Sequence, residues 1–312
     1  MRVHTSLDGV SLPSSSVAVG VFDGVHRGHQ QVLRATCETA RRTGAVSAAL
    51  TFDRHPADLL SPQNAPSYLT SLRQKIEYIE SLEAIDELIV VPFDLSFANT
   101  SPTEFVERIL VARLGAVHVR VGADFRFGKG RAGSVMDLEA AGETHGFDVS
   151  IVHPITEGGE RVSSTHIRSL VAAGLCEQAK ALLGRPYTLR GTVGHGKKLG
   201  RTIGFPTANL VLDEPRSALP VFGVYAGWGL LGSRRIPAAI SVGTNPTTDG
   251  VNQVVKVEAF LLDGFDEDIY DARLDIEIES HVRPELRFDG LPALIERMHE
   301  DVARVESILA RR

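Results

Sequence analysis

The distribution of apolar and polar positions divides the chain near residue 184. Before that point, short apolar runs at 17–21, 46–52, 87–93, 117–121 and 149–152 alternate with stretches of helical periodicity. Strands separated by helices predict an α/β unit with a doubly wound parallel sheet. The helices carry their own start signals. Ser101-Pro102-Thr103-Glu104 is a capping box with proline at the first helical position, followed by Phe105, Ile109, Leu110 and Leu114 and stopped at Gly115. Ser71 and Gln74 repeat the box before Ile76, Ile79 and Leu82.

Past Leu183 the pattern changes, and Gly184-Arg185-Pro186-Tyr187 reads as a hinge. Strand-like segments follow at 187–193, 224–230, 236–242, 254–262 and 273–279. In the last of these Leu274, Ile276 and Ile278 alternate with Asp275 and Glu277, so one face is buried. Several strands without intervening helices predict a small closed or nearly closed β-barrel. A final helix from about residue 291 presents Leu294, Ile295, Met298, Val302, Val305 and Leu309 as one apolar stripe against the barrel. The predicted domains are therefore 1–184 and 185–312.

A length of 312 residues suits two domains, each with its own core. The net charge of −6 argues against a general nucleic-acid binder, while leaving room for a local basic pocket. Cys37 and Cys176 lie far apart, and neither has a second ligand at metal spacing, which fits reduced thiols. No run is apolar enough to span a bilayer, and the start has no charged-then-apolar signal pattern. The expectation is a cytoplasmic protein with small-molecule substrates, no nucleic-acid or membrane partner, and room for a weak homo-oligomer.

In a doubly wound sheet, ligands bind outside the carboxyl ends of the strands, and polar turn-rich segments fall there. After the first strand comes GVFDGVHRGH at 20–29, which reads glycine turn and then helix start. Glycines let the backbone approach an anion, and the free N–H groups of a helix start favour negative charge. His26 and His29, three apart, can both point at one phosphate and stabilise charge on a phosphoryl group under attack. A metal pair would need a partner motif such as HExxH or CxxC, which is absent; a solvated helix start is the plainer alternative. Thr51-Phe52-Asp53-Arg54-His55-Pro56 follows the second strand. The loop at 122–131, with Arg126, Lys129 and Arg131, reads equally as a phosphate clamp or a solvated hairpin, and 163–168 as a phosphate site or an N-cap.

In the second half, GTVGHGKK at 191–198 fits a Walker A loop except that Lys198 stands where a magnesium-binding Ser or Thr is needed. Gly200, Gly204 and Pro206 then prevent an immediate helix, so a P-loop is rejected. Thr207 and Asn209 lie two apart on an extended strand end, and their hydroxyl and amide carbonyl suit a hard cation; a turn at a strand start is the alternative. Glu258 shares a strand face with Lys256, which by itself points to solvent.

Taken together, these segments resemble a known family. GxFDGxHxGH, carried by Gly20, Phe22, Asp23, Gly24, His26, Gly28 and His29, together with VGADFRFGKGRAG and SSTHIR, resembles the adenylyltransferase module of prokaryotic bifunctional riboflavin kinase/FAD synthetases. GHGKKLGRTIGFPTANL, SVGTNPT, VEAFLLD and HVRPELRFDGLPALIERM resemble its flavokinase module. The resemblance spans roughly residues 15–305. It implies phosphorylation of riboflavin by ATP and Mg²⁺ to FMN, then adenylyl transfer from ATP to FMN, giving FAD and pyrophosphate.

By the same resemblance, His26, His29, Arg168 and Glu258 are catalytic, with Glu258 the base for the riboflavin 5′-hydroxyl. Ser164, Thr165 and Arg168 hold the departing phosphates. Gly20, Phe22, Asp23, Gly24 and Gly28 belong to the nucleotide site of the first module, and Gly196, Lys197, Gly200, Thr207 and Asn209 to that of the second. Asp124, Phe125, Phe127 and Arg283 are flavin-binding, and Thr207 and Asn209 carry Mg²⁺. The chain departs from the family pattern at Val21 (often asparagine), Arg54 (usually proline), His166 (often arginine) and Thr248 (often aromatic). Two alternatives stay open: a kinase with an inactive adenylyltransferase domain, and a flavin or nucleotide sensor without turnover.

Overall fold

The computed structural model describes residues 1–195, 203–244, 255–265 and 267–311. The chain forms two compact units: Met1–Pro66 with Leu72–Ser163, and Ser67–Ser71 with Ser164–Arg312.

The first unit is built on a six-stranded parallel sheet: β1 Arg2–His4, β2 Ser15–Val19, β3 Val46–Phe52, β4 Glu87–Val91, β5 Ala116–Gly122 and β6 Asp148–Val152, in the order β1-β4-β3-β2-β5-β6. The chain runs outward from β2 through β3 to β4, then crosses back to β5 and β6. That reversal makes the carboxyl ends of β2 and β5 the topological switch point where such sheets bind ligands. The strands are apolar on both faces because both are covered. Val17, Val19, Leu50, Ile89 and Val119 pack with Phe105, Ile109, Leu110 and Leu138. Ala18, Ala49, Leu88 and Val90 pack on the other side with Val32, Leu33 and Ile79.

Strand β1 was not predicted, because three residues reading RVH, two of them exposed, carry no period. The Ser101 capping box forms in both directions: Glu104 N donates to Ser101 Oγ at 3.2 Å, and Ser101 N donates to Glu104 Oε2 at 3.1 Å. The helix beyond it widens over Phe105–Val111, with Ala112 N bonding back five residues to Glu107 O at 3.0 Å. A second box, at Ser134 and Asp137, starts the helix Val135–His145. A short hairpin, β7 Thr156–Glu157 and β8 Glu160–Arg161, follows β6.

The second unit is a closed antiparallel barrel: β9 Tyr187–Gly194, β10 Thr207–Leu212, β11 Gly223–Leu231, β12 Arg234–Gly243, β13 Lys256–Leu261 and β14 Arg273–Pro284, in the order β10-β13-β12-β11-β14-β9. Five of these strands match the predicted segments; β10 is the addition that closes the barrel. Leu189, Tyr225, Ile240, Ala259, Ile276 and Ile278 fill the interior. At Gly227 the barrel wall leaves no room for a side chain, since a Cβ would lie 2.0 Å from Glu277 O. The predicted terminal helix, Leu291–Leu309, lays Val302, Val305 and Leu309 on Ala226, Trp228, Ala239 and Phe260 of the outer wall.

The helices Ser164–Ala172 and Cys176–Leu183, which the sequence pattern assigns to the first domain, group with the barrel. Lys180 Nζ pairs with buried Glu279 at 2.8 Å, which ties the second of them to β14. No helix among the described residues is long and apolar enough to cross a membrane.

Candidate active site

The first cluster is the turn that leaves β2. Phe22 (φ 52°) and Val25 (φ 39°) adopt left-handed backbone, which is costly for non-glycine residues and most of all for β-branched valine. Gly24 takes φ 83° between them. The turn is held shut by Val25 N donating to Phe22 O at 3.1 Å, and Asp23, Val25 and His26 are buried in it.

This turn delivers His26 to the N-cap of the helix Arg27–Thr43, where its Nδ1 accepts the His29 backbone N–H at 3.2 Å. An Nδ1 that accepts puts the neutral ring's proton on Nε2. The His26 and His29 rings stack with centroids 3.6 Å apart and 17° between planes, and Phe22 meets His29 edge-on at 5.3 Å. Gly28 is the residue that admits this stack, since a Cβ there would lie 3.2 Å from the His26 ring. Gly20, at the strand end, donates to Leu50 O and has the Phe22 ring over it.

Sequence reasoning missed Lys75. From the helix Leu72–Glu80 its ammonium reaches under the turn, donating to Phe52 O at 2.7 Å, Val21 O at 3.2 Å and Thr51 Oγ1 at 3.3 Å. Burial pushes its pKa down to about 8, against the upward pull of Asp23 and Asp53. The only signal in sequence was a lysine on the apolar side of a helix. Asp53 accepts from Phe93 N at 2.8 Å and pairs with Arg54 at 3.2 Å. His55 caps the helix Pro56–Leu60, so the loop keeps a regular helix start with Arg54 before it.

At the end of β5, Phe127 bridges Gly133 by paired backbone bonds of 3.0 and 2.9 Å and packs on Phe105 at 5.3 Å. Phe125 stacks on Phe127 at 5.6 Å, nearer the surface, and Asp124, Arg126, Lys129 and Arg131 are exposed. In the second unit, Ser164 opens the helix Ser164–Ala172 with Thr165 exposed beside it, and Arg168 Nε donates to Ser67 O at 2.6 Å.

The second cluster is a row across the outer barrel wall. Antiparallel register sets Asn209 of β10 opposite Glu258 of β13, and Glu258 opposite Ser241 of β12. Thr207 lies two residues before Asn209, hence on the same face, while Ala208, Leu210, Val257 and Ala259 turn inward and are buried. The row continues through Val224 to Arg283. Arg283 is 9% exposed, and its guanidinium forks onto Asp301 of the terminal helix at 2.7 and 2.9 Å. Phe205 packs between Phe260 (5.2 Å) and His299 (4.9 Å), and His195 stacks on Tyr270 at 4.4 Å. Glu285 accepts Thr244 N at 2.9 Å. Gly196, Lys197, Gly200 and Thr248 lie outside the described residues.

Comparison with known proteins covers both units. The FAD synthetase family model matches residues 10–166, and the riboflavin kinase model residues 183–309. The bifunctional riboflavin kinase/FMN adenylyltransferase of Escherichia coli (strain K12) is 38% identical over 286 residues, covering 91% of this chain and 90% of the relative. Its counterpart in Listeria monocytogenes is 38% identical over 95% of this chain and 92% of the relative, and that in Bacillus subtilis 36% over 92% and 90%. A crystal structure described as a macrolide-efflux protein from Streptococcus pneumoniae matches with a TM-score of 0.82 at 30% identity over 98% of both chains. With two enzyme modules matched in order and relatives aligned nearly end to end, the chain belongs to the bifunctional riboflavin kinase/FMN adenylyltransferases, which make FMN from riboflavin and FAD from FMN.

Proposed function

We propose that the two reactions are divided between the turn after β2 and the outer wall of the barrel, with the residue roles that follow. In adenylyl transfer, a phosphate oxygen of FMN attacks the α-phosphorus of ATP, and the bond to the β-phosphate oxygen breaks to release pyrophosphate. His26 and His29 donate to the phosphates as charge builds on them. The stacked pair at the helix start, with His26 Nδ1 accepting the His29 backbone N–H, is the observation that carries this role. Gly20, Phe22, Asp23, Gly24 and Gly28 shape the turn that admits the nucleotide. Asp124, Phe125 and Phe127 face FMN or the nucleotide; the buried packing of Phe127 suits it to a fixed wall and leaves Phe125 the more accessible ring.

In the kinase reaction, Glu258 takes the proton from the riboflavin 5′-hydroxyl, and that oxygen attacks the γ-phosphorus of ATP as ADP leaves. The donor set fits Mg²⁺: a threonine hydroxyl and an asparagine carbonyl on one strand face offer hard oxygens. Bound there with ATP, the ion neutralises charge on the transferring phosphates. Thr207 and Asn209 orient the nucleotide, and Glu258 is held beside Asn209 by strand register. Gly196, Lys197 and Gly200 complete this nucleotide site. Arg283 serves the flavin end of the row by holding the terminal helix through Asp301. Two free buried cysteines suit the cytoplasm.

A time course with riboflavin, ATP and Mg²⁺, separating riboflavin, FMN and FAD by chromatography, tests the assignment. FMN should appear first and FAD after it. FMN without FAD would leave only the kinase live, and flavin binding without product would make the protein a sensor.

A further inference from the structure

A lysine buried to 6% exposure beneath a phosphate-binding turn needs a reason, because an ammonium out of water is costly unless its donors are all used. At Lys75 they are: three N–H groups meet Val21 O, Thr51 Oγ1 and Phe52 O. Thr51 Oγ1 itself donates to Val21 O at 3.0 Å, so the carboxyl ends of β2 and β3 close into one ring around the ammonium. Val21 immediately precedes the left-handed Phe22, and the strained turn it opens ends at His26. A turn carrying two such residues persists only when its surroundings over-determine it.

We propose that Lys75 is a positioning residue for adenylyl transfer, clamping the ends of β2 and β3 so that the strained turn presents His26 and His29 in their stacked, phosphate-facing arrangement. This rests on the roles assigned above to the two histidines. The groups that act on the ammonium are Asp23 of the turn and Asp53 at the end of β3, the latter shared with Arg54. They hold it charged against burial, to a pKa of about 8. Below that value the clamp has three donors and a positive charge behind the phosphate site. Above it, one donor and the charge are gone.

The test is steady-state FAD formation from FMN and ATP by the full chain, with riboflavin kinase activity as the internal control. Lys75→Met should lower kcat about ten- to a hundred-fold with little change in either KM, as expected when a reacting group is misplaced, and leave FMN formation intact. Lys75→Arg, which keeps the charge, should recover part of kcat. The wild type should lose FAD formation as pH rises through about 8, and Lys75→Arg should lack that limb. Wild-type kcat in Lys75→Met, or a loss carried by KM alone, overturns the proposal. Should Lys75→Met fail to fold, Thr51→Val decides, by a kcat loss with KM held or by none. His29→Ala separates the two levels: FAD formation surviving there sinks the histidine roles, whereas its loss beside an unaffected Lys75→Met sinks the clamp alone.

Discussion

The candidate sites of the two units are built in opposite ways. In the first, the two histidines proposed to act on phosphate are neighbours in sequence, and local geometry sets them: a strained turn, an N-cap and a stack between residues three apart. In the barrel, Asn209 and Glu258 are remote in sequence and meet only because β10 pairs with β13 in one register. A one-residue slip would send every side chain of β10 to the other face. The first site is therefore vulnerable in its turn and in the anchor beneath it, and the second in anything that shifts the strands.

The largest expected effects separate the two activities. Glu258→Gln should reduce FMN formation by about a hundred- to ten-thousand-fold while FAD formation from supplied FMN continues. His29→Ala should do the reverse, reducing FAD formation about a hundred- to a thousand-fold and leaving FMN formation unchanged. Loss of both activities from either change in a folded protein would break the division of labour between the units.

Stability changes sharpen the comparison at smaller magnitude. Asp301→Ala strands a buried guanidinium and should cost the barrel unit about 3–5 kcal/mol in denaturant melts, with FMN formation falling as the terminal helix loosens. Gly227→Ala forces a Cβ against Glu277 O and should cost about 1–3 kcal/mol. Lys75 makes the first unit's stability pH-dependent in a known direction. Its folded pKa, about 8, lies below the ordinary 10.5, so between those values the unfolded chain binds more protons and stability rises with pH. Lys75→Met should lack that rise in melts taken across the window. Ser134→Ala, which removes a helix cap, should cost about 1 kcal/mol and neither activity.

The legibility of each site follows from the same contrast. GVFDGVHRGH was readable because glycine turn, helix start and paired histidines are consecutive, and local rules fix their geometry. The row on the barrel was readable only through its family motifs: Glu258 beside Lys256 by itself looks like a solvated face, and the strand end with Thr207 and Asn209 reads equally as a turn, until register supplies their neighbours. Arg283 is placed by a helix carboxylate that no spacing rule connects to it. The three-residue β1 and the widened helix at Phe105–Val111 escape any periodicity.

By itself, the sequence determined the class of each unit, the sheet and its capped helices, the stripe of the terminal helix and, through its motifs, the family. These are properties of patterns that recur within a few residues, where backbone sterics and side-chain spacing act directly. Tertiary structure alone decided that six strands close the barrel, that Asn209 and Glu258 face each other, and that Lys75 lies beneath the turn rather than in solvent. The physical reason is that hydrogen-bond register and burial join residues remote in sequence, and a buried charge declares its role only once its acceptors are seen.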